Sequence, residues 1–243
     1  FTMAQESFDL AERLQTPVMV LSDLDIGMND WMVPDFEFDE SKIPDRGKVL
    51  SAEEVEGLDK FYRYLDVDGD GIPYRTLPGT HPKGAYFTRG SGHTKLGAYT
   101  EDSGEYQDVL DRLLLKWETA RKLVPEAEID YSPFNNAAIL ATGSSHGACV
   151  EARDRLAKQN VSLNYCRVKA FPFSESVKEF IAKHDVVYVV EQNRDAQLRT
   201  LLMLDSDADP ARLVSLLHYS GMPMNPGFVV TRILEEIAKG QAA

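Results

Sequence analysis

The chain has 243 residues, 43% of them hydrophobic and 27% charged, with a formal net charge of −13. That composition suits a globular protein of one large or two small domains and excludes a disordered chain. The negative field opposes nonspecific nucleic acid or anionic membrane as partners, and no apolar run is long enough to span a bilayer.

The two cysteines, Cys149 and Cys166, are too few for a four-cysteine cluster or a zinc site. They do not form a secreted disulfide framework, and their apolar neighbours predict buried free thiols. With no signal peptide visible, the expected location is the cytoplasm.

Residues 6–13 read as the end of a helix, broken by Gln15-Thr16-Pro17. Val18-Met19-Val20-Leu21 has the pattern of a short buried strand. One helix and one strand cannot bury each other's apolar faces, so this edge is expected to belong to a larger α/β layer, with Phe1 not a natural start. Residues 25 to about 104 carry little periodicity; such a stretch usually wraps another surface or carries function.

From Gly104 to Leu123, residues Tyr106, Val109, Leu110, Leu113, Leu114, Trp117 and Ala120 follow helical spacing. The spacing predicts a long amphipathic helix, its stripe in a core or a subunit interface. Beyond it, apolar runs at 137–141, 161–168, 186–190 and 213–217 recur about every 25 residues, the spacing of right-handed βαβ units. Helix patterns lie between them. Ser174 is placed to cap one helix, and Asn225 with Pro226 to open the last. Residues 131–243 are therefore expected to form an open α/β domain of about four parallel strands.

Several motifs bear on chemistry. Asp66, Asp68 and Asp70, followed by Gly71, copy the first half of a calcium loop. Position 12 would be Leu77, so a solvated Asp/Gly turn is the preferred reading. Gly143-Ser144-Ser145-His146-Gly147 fits a nucleophile elbow, with His218 at a later strand end and Asp195 or Asp205 between. That supports a serine hydrolase as one alternative. A coenzyme A or nucleotide-binding module is another, because glycine-containing βα turns accept phosphates. Gly79 to His93 is the densest polar and glycine segment, with Thr88, Arg89 and His93 as candidates for a partner-subunit contact or an active-site rim. Glu191 to Gln197 follows a predicted strand, where Asn193 or Asp195 suits a helix cap.

Four separated motifs carry a family resemblance: Leu21-Ser22-Asp23-Leu24-Asp25-Ile26-Gly27-Met28-Asn29, Arg75-Thr76-Leu77-Pro78-Gly79-Thr80, Tyr86-Phe87-Thr88-Arg89-Gly90-Ser91-Gly92-His93 and Val189-Val190-Glu191-Gln192-Asn193-Arg194-Asp195. With Ala170-Phe171-Pro172-Phe173, they resemble the C-terminal portion of the α subunit of 2-oxoacid:ferredoxin oxidoreductases, of the 2-oxoglutarate type. The resemblance implies an α/β fold, an open parallel sheet resembling the transketolase C-terminal domain. It divides the chain into a remnant of the pyrimidine-binding domain (1–24), an irregular linker with the long helix (25–130), and the transketolase-like domain (131–243).

It also implies thiamine-diphosphate-dependent oxidative decarboxylation of a 2-oxoacid to an acyl-CoA. Coenzyme A is then the cosubstrate, and electrons leave through a [4Fe-4S] cluster to ferredoxin. Thiamine diphosphate, Mg2+ and the cluster are associated mostly with the β subunit. The implied partners are that subunit, the rest of the α subunit and ferredoxin. The family's substrate and cofactor motifs are not found in this chain, so no catalytic residue is carried over, and the chain alone is expected to be inactive. Where the family often has Gly, this chain has Ala196.

Overall fold

The computed structural model describes residues 1–240 except 38 and 134. It resolves into two compact units: Phe1–Val20 with Val33–Leu123, and Leu21–Met32 with Val124 onward.

The second unit is built on a five-stranded sheet of order β1-β3-β2-β4-β5. The strands are β1 (Glu128–Asp130), β2 (Ala137–Thr142), β3 (Asn164–Val168), β4 (Val186–Glu191) and β5 (Leu213–Leu217). β2, β3, β4 and β5 are parallel, as the apolar runs predict. β1 is an antiparallel edge strand that the sequence reading missed. Its three residues carry no apolar run. It is held instead by register and charge: Glu128 faces Arg167 and pairs with Arg167 at 3.2 Å and Lys169 at 3.3 Å.

The central strands are apolar throughout because both faces are covered. Side chains alternate across a strand. Ala137, Ile139 and Ala141 of β2, with Val186, Tyr188 and Val190 of β4, face one core. That core is closed by α5 (Ser145–Ala157) and α8 (Pro226–Ala238), through Ala148, Cys149, Ala152, Val229 and Ile233. Ala138, Leu140, Val187 and Val189 face the other core. There α6 (Glu175–Ala182) and α7 (Gln197–Ser206) supply Val177, Phe180, Ile181, Leu198 and Leu202. Asn225 caps α8, accepting from the Gly227 N–H at 2.7 Å.

The first unit is mostly irregular, as its sequence predicts. Its helices are α1 (Thr2–Leu14), α3 (Ala52–Glu56) and α4 (Ser103–Arg121); α2 (Leu24–Met28) belongs to the second unit. Two expectations need correction. Residues 18–21 form no strand: Met19 is 84% and Leu21 88% exposed. A strand needs a neighbour for its backbone groups, and among the described residues none pairs with this stretch. Nor is α1 an orphan. Its Leu10 and Leu14 pack with Ile72 and Ala120, and its Glu12 takes Arg46 at 2.8 Å and also Arg75.

The stripe of α4 buries only Ala120; Tyr106, Leu110, Leu113, Leu114 and Trp117 are 40–67% exposed. What α4 receives instead is a polar loop. Gly71, at φ +78°, lies so close that an added Cβ would sit 2.3 Å from the Lys116 backbone nitrogen. Arg112 donates to the Gly71 carbonyl at 2.9 Å, and Thr119 to the Asp70 carbonyl at 2.7 Å. Among the described residues, no helix is long and apolar enough to cross a membrane.

Candidate functional site

The strand order places a crevice in the second unit. From β2 the chain passes to β3 on one side, then crosses back to β4 on the other. Open α/β sheets bind ligands outside the carboxyl ends of such diverging strands. A cleft of about 690 Å³ lies there, lined by Asp23, Asp25, Asn29, Gln192, His218 and Tyr219 among others. Gln192 follows β4 and donates to Ser144 Oγ at 2.7 Å. The Ser144 hydroxyl also bonds Asp23, whose other oxygen caps α2 by accepting from the Ile26 N–H at 2.9 Å. Partial burial pushes the Asp23 carboxyl up, but the bonds from Ser144 and Ile26 outweigh it and hold it below the usual carboxylate value.

This arrangement does not make a hydrolase. Ser145 is buried at 2% exposure, and its hydroxyl meets Gln192 at 3.5 Å. Gly143 carries the positive φ of the turn, so the serine is not the strained residue that an elbow requires. His218 bonds Ser220 at 3.2 Å and packs edge-on to Phe228. His146 bonds the Tyr165 hydroxyl at 2.9 Å; burial first and Arg167 second push its imidazole below the usual value. Asp195 pairs with Arg194, and Asp205 accepts from the Phe173 N–H.

The Glu191–Gln197 turn is a cap. Asn193 accepts from the Gln197 N–H at 3.2 Å, as its position predicts. Buried Glu191 does more: it accepts from Leu198 N–H at 2.7 Å and Arg199 N–H at 3.3 Å. Asp195 does not join the cap. Ala196 sits at φ 52°, a left-handed conformation that suits glycine.

In the first unit, two of the three rim candidates converge on Tyr64. His93 stacks on its ring with centroids 4.1 Å apart, and Thr88 bonds its hydroxyl at 2.9 Å. Arg89 lies 5.8 Å from the Tyr99 ring. Sequence reasoning missed the cations beside Tyr64. The Arg63 and Arg112 guanidiniums lie 4.8 and 5.8 Å from its ring centre. The available signal was Arg112 and Lys116, four apart on one helix amid an apolar pattern.

The calcium-like loop carries an internal cation. Lys48 Nζ bonds Asp68 at 2.6 Å, Asp70 at 2.7 Å and the Ile72 carbonyl at 3.0 Å. Asp66 is engaged by the N–H groups of Gly69 and Gly71. Lys48 holds the Asp68 carboxyl below its usual value. The three aspartates are the one group among the described residues with metal-ligating spacing, and the lysine ammonium already occupies two of them, Asp68 and Asp70.

No family model matches the chain. The α subunit of 2-oxoacid:ferredoxin oxidoreductase 2 from Aeropyrum pernix is 28% identical over 97% of this chain. The 2-oxoglutarate synthase subunit KorA from Archaeoglobus fulgidus is 28% identical over 79%. The chain spans 36% and 46% of these relatives' lengths. In structure it is similar to a 2-oxoglutarate:ferredoxin oxidoreductase from Magnetococcus marinus, solved with 2-oxoglutarate, coenzyme A and succinyl-CoA bound. That likeness has a TM-score of 0.79 at 23% identity, covering 94% of this chain and 39% of that one; it shows a shared fold. The resemblance read from the four motifs is thus matched by curated relatives along nearly the whole chain.

Proposed function

We propose that this chain serves as a portion of the α subunit of a thiamine-diphosphate-dependent 2-oxoacid:ferredoxin oxidoreductase, oxidising a 2-oxoacid such as 2-oxoglutarate to its acyl-CoA. The observation that carries the reading is similarity to a curated α subunit over 97% of the chain. In this reading residues 1–24 close the pyrimidine-binding domain, residues 25–130 link, and residues 131–243 form the transketolase-like domain. The partners are the β subunit, the rest of the α subunit and ferredoxin. Thr88, Arg89 and His93 lie toward the partner subunit or the active-site rim.

The residues present do not fit the redox cofactors. Cys149 and Cys166 are fully buried, and burial pushes both thiols up to about 12, so neither is available as a thiolate ligand. In the one acidic trio among the described residues, Lys48 already occupies Asp68 and Asp70. The [4Fe-4S] cluster and Mg2+ therefore belong, in this proposal, to the parts that complete the enzyme, and thiamine diphosphate is assigned there with them. The contribution of this chain is to shape and orient. Its sheet holds the β2 and β4 strand ends in fixed register, and Asp23, Ser144 and Gln192 tie the 21–32 segment across them.

The test is reconstitution. The chain should show no 2-oxoglutarate- and coenzyme A-dependent reduction of ferredoxin alone, and should support it when co-assembled with a β subunit and the remaining α segment. Turnover by the isolated chain, or failure of every such assembly to incorporate it, would overturn the proposal. Ester hydrolysis abolished by Ser145→Ala would favour a hydrolase instead.

A further inference from the structure

The cleft at the carboxyl ends of β2 and β4 has walls from two sources. One belongs to the sheet: Gln192 follows β4, and His218, Tyr219, Met222 and Pro223 follow β5. The other is the Leu21–Met32 segment, which brings Asp23, Leu24, Asp25, Met28 and Asn29.

That segment is tied to the rest of the second unit at one residue. Asp23 bonds the hydroxyl of Ser144, the N-cap of α5, and Ser144 in turn takes Gln192. Among the described residues, no other group of residues 21–32 hydrogen-bonds to the sheet or its helices; the remaining bonds, such as those of Ile26 and Gly27 to Asp23, stay inside the segment. Nor is the segment fastened by apolar burial. None of its residues is buried, Leu24, Met28, Trp31 and Met32 are exposed, and none joins either core of the sheet. Few buried contacts and one polar tie are the marks of a segment that moves separately from the fold beneath it. Because Asp23 also caps α2, the short helix travels with that tie as one piece.

The cleft is apolar at its edges on both sides. Leu24 and Met28 lie four apart, on one face of α2, and Tyr219 and Met222 line the cleft from the loop after β5. All four are exposed. Apolar surfaces that share a cleft release water when they meet.

We propose that residues 24–32 are a lid that pivots on Asp23 and closes the cleft by bringing Leu24 and Met28 onto Tyr219 and Met222. Closure shuts water out, which strengthens every polar contact that Asp25, Gln192 and His218 make to an occupant. The lid does not rest on the oxidoreductase reading.

The experiment is disulfide trapping in the purified chain. Its natural Cys149 and Cys166 are buried, so a new exposed pair reports by itself. Met28→Cys with Met222→Cys should crosslink in a glutathione redox buffer about tenfold faster than Met28→Cys with Leu204→Cys, an equally exposed position on α7 outside the cleft. The bond requires Cα atoms within about 7 Å, so it forms only when lid and loop meet. Hydrogen exchange then separates a lid from a rigid wall. Amides of residues 24–32 should exchange about tenfold more slowly in the trapped form than in the same protein reduced, while β2 and β4 stay protected in both. Adding Asp23→Asn should slow trapping about tenfold by freeing the pivot, with the protection of β2 and β4 showing that the sheet is intact. Trapping no faster than the Leu204 pair, or equal exchange in the trapped and reduced forms, would overturn the lid; trapping unchanged by Asp23→Asn would overturn the pivot.

Discussion

The two units solve the problem of holding a chain together in different ways. In the second, a parallel sheet is sealed on both faces, and Ile139, Leu140, Tyr188, Val189 and Phe180 are each inaccessible to water. Its stability comes from apolar area removed from water, about 25 cal/mol per Å². Among the described residues, the first unit has one small apolar cluster, Leu10, Leu14, Ile72 and Ala120 with Val18 and Leu123 against it. It leaves Leu114 and Trp117 of α4 at the surface. Its order rests on close backbone approach and on charged and polar ties: Gly71 against α4, Lys48 between two aspartates, Glu12 between two arginines. The lesson is that apolar content alone does not locate a core.

Substitutions can break or sharpen this contrast. The largest effect is expected from Gly71→Ala. A Cβ 2.3 Å from the Lys116 nitrogen cannot be relieved by moving a side chain, and φ +78° is itself unfavourable for alanine. A loss of about 3 kcal/mol or more is expected, read as a lowered denaturation midpoint of the first unit with the second unit's sheet intact by hydrogen exchange. A loss spread equally over both units would blur the distinction.

Next comes Asn164→Ala in the second unit. Asn164 is buried, accepts from the Ser132 N–H at 2.6 Å, and donates to the Asn135 carbonyl at 3.0 Å and His184 Nε2 at 2.7 Å. Its removal strands these partners, and about 2–3 kcal/mol should be lost in urea unfolding. Glu191→Ala should cost about 2 kcal/mol by uncapping α7, with protection lost first at the Leu198 and Arg199 amides.

Ala196→Gly acts in the opposite direction. Relief of the left-handed alanine exceeds the added freedom of the unfolded chain by less than about 1 kcal/mol, so the melting temperature should rise slightly. The last effect is a pH slope. The folded Lys116 ammonium, at about 8, lies below its ordinary value of 10.5, so the folded state binds the proton less tightly than the unfolded one. Its penalty is full below pH 8 and fades as pH rises from about 8 to 10.5, so this group makes the first unit more stable across that window. Lys116→Met should be more stable than the parent at pH 7, with the gap closing toward pH 10.5; a gap that widens would contradict the assigned burial.

Some of this was legible in the residues alone. Unbroken apolar runs such as Val186-Val187-Tyr188-Val189-Val190, spaced by helical patterns, determine parallel strands covered on both faces, because only a two-sided core rewards apolar side chains at every position. Asn225 with Pro226 announces a helix start, since capping is a local hydrogen bond. The four motifs carried the kinship. The tertiary structure alone decided the rest. Whether α4 buries its stripe depends on what packs there, and periodicity is blind to that. Asp66, Asp68 and Asp70 look like a metal loop until Lys48, distant in sequence, arrives between them. Ser145 and His218 satisfy a pattern of order but find other partners, because a reactive pair is made by distance and orientation, which chain order does not contain.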